Sequence, residues 1–223
     1  MSEKGEKHVH VAVLHTGWVR WELSSWLNYI TFNERRMSFS IQYYGNDFAG
    51  RPCSSNRNRV VRDRPLGSDV MMIDSDIVPP IDLMDIGLLD LDVIGCPSPI
   101  WRGDDPRGPI ITNLKTFGEP IVDIGKKTIL EVEAIGGGIF YVSKRVMEHP
   151  GMRGAFRDIM DADGVCTMTE DYYFCQRARK MGFKIHAALG YPCGHVKETN
   201  LKAMFDMMFD QQQEQKGEVN DKT

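Results

Sequence analysis

Strand-like and helix-like hydrophobic patterns alternate along the first hundred residues. Positions 8–14 are β-branched and alternate between His and Val, Ala or Leu, which predicts a first strand. Positions 19–32 follow as a helix, with Trp18, Leu23, Trp26, Leu27 and Ile30 at helical spacing. Residues 38–44 predict a second strand, closed by Gly45-Asn46-Asp47. The polar, Arg-rich stretch 56–66 predicts a short helix with one buried face. A third strand at 69–73 runs into a turn, and Pro79-Pro80 then opens a helix over 81–91. Residues 93–96 predict a fourth strand. This β-α-β-α-β order predicts an α/β domain, a parallel sheet with helices on both faces.

The pattern changes after residue 96. Residues 97–127 are rich in Gly, Pro and Asp with little periodicity, which reads as a long functional loop or a small hairpin insertion. Two strand-like runs, 129–135 and 139–142, flank Gly136-Gly137-Gly138. Ser143 is placed to cap a short helix. A longer helix is predicted over 168–181: Thr169 caps it, Glu170 and Asp171 fill its first turn, and Phe174, Ala178 and Met181 share one face. Gly182 ends it, a strand follows at 183–189, and 190–195 form a loop. Residues 201–209 carry a Met/Phe stripe, and the polar residues 210–223 read as a disordered tail behind a single domain over 8–209.

Composition narrows the setting. The chain has 223 residues, 42% of them hydrophobic, enough for one sizeable core. A net charge of −4 gives no general field for nucleic acid or an anionic membrane. No apolar run reaches the roughly 18–20 residues of a membrane span. Met1 to Lys7 is charged and lacks a following signal-peptide core. The five cysteines contain no C-x-x-C pair, so reduced thiols in a cytoplasmic protein are expected.

The chemistry concentrates in a few places. Asp74 and Asp76 form a D-x-D triplet at the end of an apolar run, just before a proline breaker. Asp90-Leu91-Asp92 and Asp161-Ala162-Asp163 share the spacing but not the context. Carboxylates at the rim of an open α/β sheet lie where ligands bind, and they suit a divalent cation that carries phosphates. A solvated turn is the plainer reading. Glu170 and Asp171 are explained by the helix dipole alone, or one of them, Asp171, is a catalytic base. His195 follows a strand and could return to the same rim as Asp76, where an imidazole beside a carboxylate suits manganese or magnesium. His8, His10, His149 and His186 have weaker claims. Gly136 to Gly138 allow the backbone to approach a ligand, or simply kink the sheet. Trp101, in the Pro/Gly-rich loop beside Arg102, could stack on a sugar or cover the core. Arg57, Arg59, Arg62 and Arg64 read as a solvated face, from which one side chain, or Asn58, could reach a nucleotide.

Taken in order, Ser55 to Arg59, Asp69 to Pro80, Ile135 to Arg145, Thr169 to Phe183 and Gly194-His195 resemble the GT-A glycosyltransferases, close to the family 2 type and to its short members without a membrane anchor. The resemblance covers most of residues 8–197. It implies a GT-A fold, Rossmann-like, with a mostly parallel central sheet, helices on both faces and a small antiparallel acceptor-side portion. It divides the domain into a nucleotide-binding half (8–96) and an acceptor-side half (97–209). It implies a hexosyltransferase-type enzyme using a nucleotide-diphosphate sugar and Mn2+ or Mg2+, with a glycan, protein or small molecule as acceptor. By position Asp76, His195 and Asp74 look like the metal ligands, and Glu170-Asp171 like the catalytic E-D motif, its aspartate the base of an inverting reaction. Thr16 and Gly17 fall where the nucleotide pocket begins, and with Arg57, Asp74, Asp76, Gly137 and Gly138 they complete the expected donor-binding set. The first-strand loop reads Leu-His-Thr-Gly-Trp rather than Pro-x-Tyr-Asn-Glu, which leaves the base of the nucleotide unassigned. A sugar nucleotidyltransferase and a non-catalytic nucleotide-sugar-binding protein are the alternatives.

Overall fold

Val9, Val11 and Val13 face one side of the first strand, Ala12 and Leu14 the other, and all five are buried. A strand buried on both faces belongs in the middle of a covered sheet. The computed structural model describes residues 7–15, 17–45, 53–101, 110–118, 124–126 and 128–196. Its main sheet has seven strands: β1 (His8–His15), β2 (Ser38–Gly45), β3 (Asp69–Asp74), β4 (Val93–Gly95), β5 (Ile129–Glu131), β6 (Ile139–Val142) and β7 (Ile185–Ala188). They lie in the order β2-β1-β3-β6-β4-β7-β5. β1 is parallel to β2 and β3, and β4 to β7. β6 runs antiparallel between β3 and β4, and β5 antiparallel along β7. The architecture is mixed α/β with a mostly parallel central sheet, as expected.

Two cores result from the alternation. On one face Ala12, Val70, Met72, Phe140 and Val142 pack with Phe174 and Ala178 of helix α4 (Glu170–Lys180). Val60 of helix α2 (Cys53–Asp63) joins them. On the other, Val11, Val13, Met71, Ile73 and Tyr141 pack under Leu23, Trp26, Leu27 and Ile30 of helix α1 (Trp21–Asn33). A short α3 (Lys144–Met147) follows Ser143, which makes no side-chain capping bond. Because β2 and β3 flank β1 on opposite sides, the chain reverses its winding at β1, and the β1/β3 carboxyl ends frame a crevice.

Several expectations change in detail. The helix expected over 81–91 is a 3-10 segment, Leu83–Leu88. Gly87 lies flat against Met37 and Tyr141, with both within 3.4 Å of where a Cβ would sit. Asp90 then adopts φ 50°, a left-handed turn that stops any helix. The run 129–135 splits into β5 and a separate ladder, Ala134–Ile135 on Leu114–Lys115. The loop after residue 96 is the hairpin alternative: Pro99–Trp101 pairs antiparallel with Ile110–Thr112. A second small hairpin joins Ile159–Met160 to Cys166–Met168. The segments read from sequence as 201–209 and 210–223 lie outside the described residues.

Candidate functional site

β3 ends at Asp74, and Ser75-Asp76 turn the chain into a two-residue strand, Ile77–Val78. That strand pairs antiparallel with Gly194–His195, with His195 opposite Ile77. The Val196 N–H donates to the Asp76 carbonyl at 2.9 Å. This small ladder brings residues 119 apart in sequence into contact, and His195 Nε2 lies 3.2 Å from Asp76 Oδ2. The other ring nitrogen, Nδ1, is 2.8 Å from the Pro99 carbonyl, which can only accept. Nδ1 therefore carries a proton, and Nε2 is left facing the carboxylate. Such a pairing calls for a proton or a cation between the two. An imidazole whose far N–H is fixed by a backbone carbonyl is the usual form of a metal-ligating histidine. An oxygen and a nitrogen ligand, leaving room for phosphate oxygens and water, suit Mn2+ or Mg2+. Among the described residues no group of three or more His, Cys, Asp or Glu side chains is placed to hold a metal ion.

Asp74 faces a different partner. Arg57, on α2, is 1% exposed. Its Nη2 donates to Asp74 Oδ1 at 3.0 Å and to the Gly137 carbonyl at 2.9 Å, and its Nε to Glu170 Oε1 at 3.2 Å. Its guanidinium carbon sits 5.6 Å from the Phe140 ring centroid. Burial disfavours the Arg57 charge, but Asp74, Glu170 and Asp171 together outweigh it and hold the pKa above the ordinary value. Burial also raises the Glu170 pKa, with Arg57 opposing and Asp171 adding. For Asp74 burial dominates again; Arg57 offsets part of it, Asp76, Glu170 and Asp171 reinforce it, and the carboxyl is pushed up to about 6. Arg57, expected to touch a nucleotide, lies beneath the cleft and ties its floor together. Gly137, the middle of the glycine run, is explained by the same side chain. A Cβ on Gly137 would lie 3.1 Å from Arg57 Cζ and closer still to Nη2.

Asp171 borders the open space. Its Oδ2 accepts the Gly137 N–H at 2.8 Å, and its Oδ1 accepts the Tyr172 N–H at 2.7 Å together with the Thr169 hydroxyl. The Thr169 side chain thus does not cap the helix backbone, as its position suggested; it orients the neighbouring carboxylate. A carboxylate offers about four acceptor sites, so Asp171 keeps capacity for an incoming hydroxyl.

These groups line one cleft of about 490 Å3 at the carboxyl ends of β1 and β3. Asp74, Asp76, Gly137, Gly138, Asp171 and His195 all border it, so six of the expected residues converge. Gly17 lies at the end of β1, exposed, with φ 127°. Thr16, the Trp101 side chain and Arg102 fall outside the described residues. Arg62 turns to Asp63 on the surface, and Asn58 bonds the Phe156 carbonyl. His10 bonds Ser40 and Tyr44, and His149 accepts from Gly151.

Two contributors escaped sequence reasoning. Trp18, expected on the buried face of α1, is 48% exposed at the cleft, with the Arg20 guanidinium 4.7 Å from its ring. Asn113 is buried, accepts the Ser98 N–H at 2.8 Å and donates to the Cys96 and Gly136 carbonyls. An amide set within the run Ile110-Ile111-Thr112-Asn113-Leu114 was the available signal.

No family model matches the chain, and no curated protein does. Among solved structures it is similar to A197 from STIV, at 16% identity and TM-score 0.50, over 86% of each chain. The inositol-1-phosphate CTP transferase from T. maritima aligns at 13% identity and TM-score 0.46, over 89% of this chain and 94% of that one. A structure of GalNAc-T7 with UDP, GalNAc and Mn2+ is similar at 10% identity and TM-score 0.57. That alignment takes in 89% of this chain but 44% of GalNAc-T7, so the chain spans under half of its length. At such identities the likeness speaks for architecture: the chain has a GT-A-like fold.

Proposed function

We propose that the protein is a metal-dependent glycosyltransferase that moves a sugar from a nucleotide-diphosphate donor to an acceptor hydroxyl with inversion. The observation that carries this reading is the Asp76–His195 pair, Nδ1 bound to Pro99 and Nε2 3.2 Å from the carboxylate, in a cleft that also holds Asp171. Asp76 and His195 would hold the cation, with Asp74 supporting the site from its anchorage on Arg57. A divalent cation bound there would supply positive charge to the donor's diphosphate. Asp171, held by Gly137 and Thr169, accepts the proton of the acceptor hydroxyl as the new oxygen–carbon bond forms. The bond from the anomeric carbon to the diphosphate breaks in line, and its electron pair departs with the diphosphate. Glu170 serves as counter-charge to buried Arg57 and does not face the acceptor. The Gly137 and Gly138 backbone, free of side chains, borders the donor. GalNAc-T7, which shares the fold, has been solved with UDP, GalNAc and Mn2+, and this supports the donor and metal class.

The experiment is a thermal-shift screen of nucleoside diphosphates and their sugars with and without Mn2+, followed by product analysis. Manganese-dependent stabilisation by one donor and release of nucleoside diphosphate are expected. Release of pyrophosphate from a nucleoside triphosphate would instead make the protein a nucleotidyltransferase. Binding without turnover would make it a nucleotide-sugar-binding protein.

A further inference from the structure

A second cleft, of about 360 Å3, adjoins the first and shares Thr169 and Tyr172 with it. One wall is a stripe of α4: Tyr172, Gln176 and Arg179 recur at helical spacing on a face distinct from the buried one that carries Phe174 and Ala178. The opposite walls are the ladder carrying Lys115 and Ala134 and the hairpin ending in Cys166–Met168. The charges lining the two clefts have opposite character. Asp74, Asp76 and Asp171 border the first. The second has two cations, Lys115 and Arg179, against one carboxylate, Glu133. Glu133 pairs with Lys115 at 2.8 Å on the surface, a weak association. Arg179 is set over the Phe117 ring at 4.8 Å, which holds its planar fork at the groove.

We propose that this groove is the acceptor site and that the acceptor is an acidic sugar, one bearing a carboxylate or a phosphate. The proposal rests on the glycosyltransferase reading. A guanidinium fork is matched to either anion, an amide and an aromatic ring suit a polar ring system, and the volume is that of a small-ligand site. The geometry gives the acceptor a direction. Thr169, at the end of the groove shared with the first cleft, has its hydroxyl bonded to Asp171 Oδ1, so an acceptor held by its acidic group at Arg179 points its far end toward the base. The nucleophilic hydroxyl thereby arrives at the base, while the anion stays away from the three aspartates.

The test titrates the full chain, isotope-labelled for NMR, with trigalacturonic acid, glucose 6-phosphate and maltotriose in separate arms. At least one acid is expected to shift the amides of residues 167–172 and Gln176, and to bind roughly tenfold tighter than neutral maltotriose, the size of one charge-assisted hydrogen bond. The tighter of the two acids identifies the anionic group. Arg179→Glu should weaken that binding roughly tenfold and leave the manganese-dependent nucleotide thermal shift unchanged. Equal binding of maltotriose, binding undiminished in the variant, shifts confined to the first cleft, or no binding of either acid would overturn the proposal. None of these titrations needs a donor. Their failure would leave the donor chemistry standing, and failure of the nucleotide screen would leave the groove result standing.

Discussion

Gly137→Ala is the sharpest probe of the site's construction. Its φ is not in the left-handed region, so alanine is acceptable to the backbone there. The obstacle is Arg57. The new methyl would sit 3.1 Å from Cζ and, against Nη2, inside the 3.0 Å that real Cβ atoms essentially never breach. The guanidinium is enclosed by Phe140, Asp74 and Glu170 and has little room to give. Forcing a methyl into a packed site costs about 1–3 kcal/mol. Displacing Nη2 also strains its bonds to Asp74 and the Gly137 carbonyl, each worth about 1.5–3 kcal/mol when fully lost, since one partner is charged. A net destabilisation of about 3 kcal/mol follows, which for a chain of this size lowers the melting temperature by roughly 6–12 °C. Thermal and urea unfolding followed by circular dichroism measure it. A companion Gly137→Ala/Arg57→Met pair should show a smaller increment for the alanine, because the obstructing group is gone. A loss below about 0.5 kcal/mol in the single variant, the range of an ordinary surface change, would refute the claim that Arg57 is what demands glycine at this position.

Other outcomes follow from the same geometry. Asp171→Asn should reduce transfer by at least about 100-fold while manganese-dependent donor binding persists; near-normal turnover would remove Asp171 as the base. Asp76→Ala should abolish the EDTA-sensitive part of donor binding in calorimetry, and His195→Ala should weaken manganese affinity by at least about tenfold; an unchanged metal titration in either variant would remove that residue from the coordination set. The histidine contribution to stability should fall as pH drops from about 7 to about 5, while Asp74, raised to about 6 in the fold, contributes with the opposite sign in the same window. Burial, chiefly, holds the pKa of His10 and of His186 below 6.5 in the fold. Both are neutral above that value in either state; below it the unfolded chain binds protons that the folded chain refuses. His10→Gln should raise the melting temperature at pH 5 relative to pH 7 when compared with the unaltered chain, and an unchanged pH dependence would dismiss the histidine contribution.

The parts of this fold that local pattern controls were readable in advance. β1 and β3 announce themselves by unbroken apolar runs, and the D-x-D triplet by its place between such a run and a proline pair. His195 comes to lie beside Asp76 because a short segment after a strand has few directions in which to return. Long-range charge was not readable. Arg57 sits among Asn56, Asn58 and Arg59 and looks solvated, yet its counter-charges come from residues 17 and 113 positions away. Thr169 has a capping residue's identity and position, but its hydroxyl found a better acceptor in Asp171, which no spacing rule anticipates. Trp18 fits the apolar periodicity of α1, yet the helix begins three residues later, and the indole is left beside the crevice. The helix expected over 81–91 is cut short where Asp90 takes a left-handed conformation, which no periodicity of apolar residues signals.

The two-residue ladder beside Asp76 has a consequence for how the chain is fastened. A few backbone bonds and the His195 side-chain contacts to Pro99 and Asp76 secure the stretch from Gly194 to Val196. On the proposed reading, loading the site staples position 76 to position 195 and closes a circuit of more than a hundred residues. Ion uptake would therefore register without any turnover, as slower amide exchange and greater resistance to proteases at that carboxyl-side stretch.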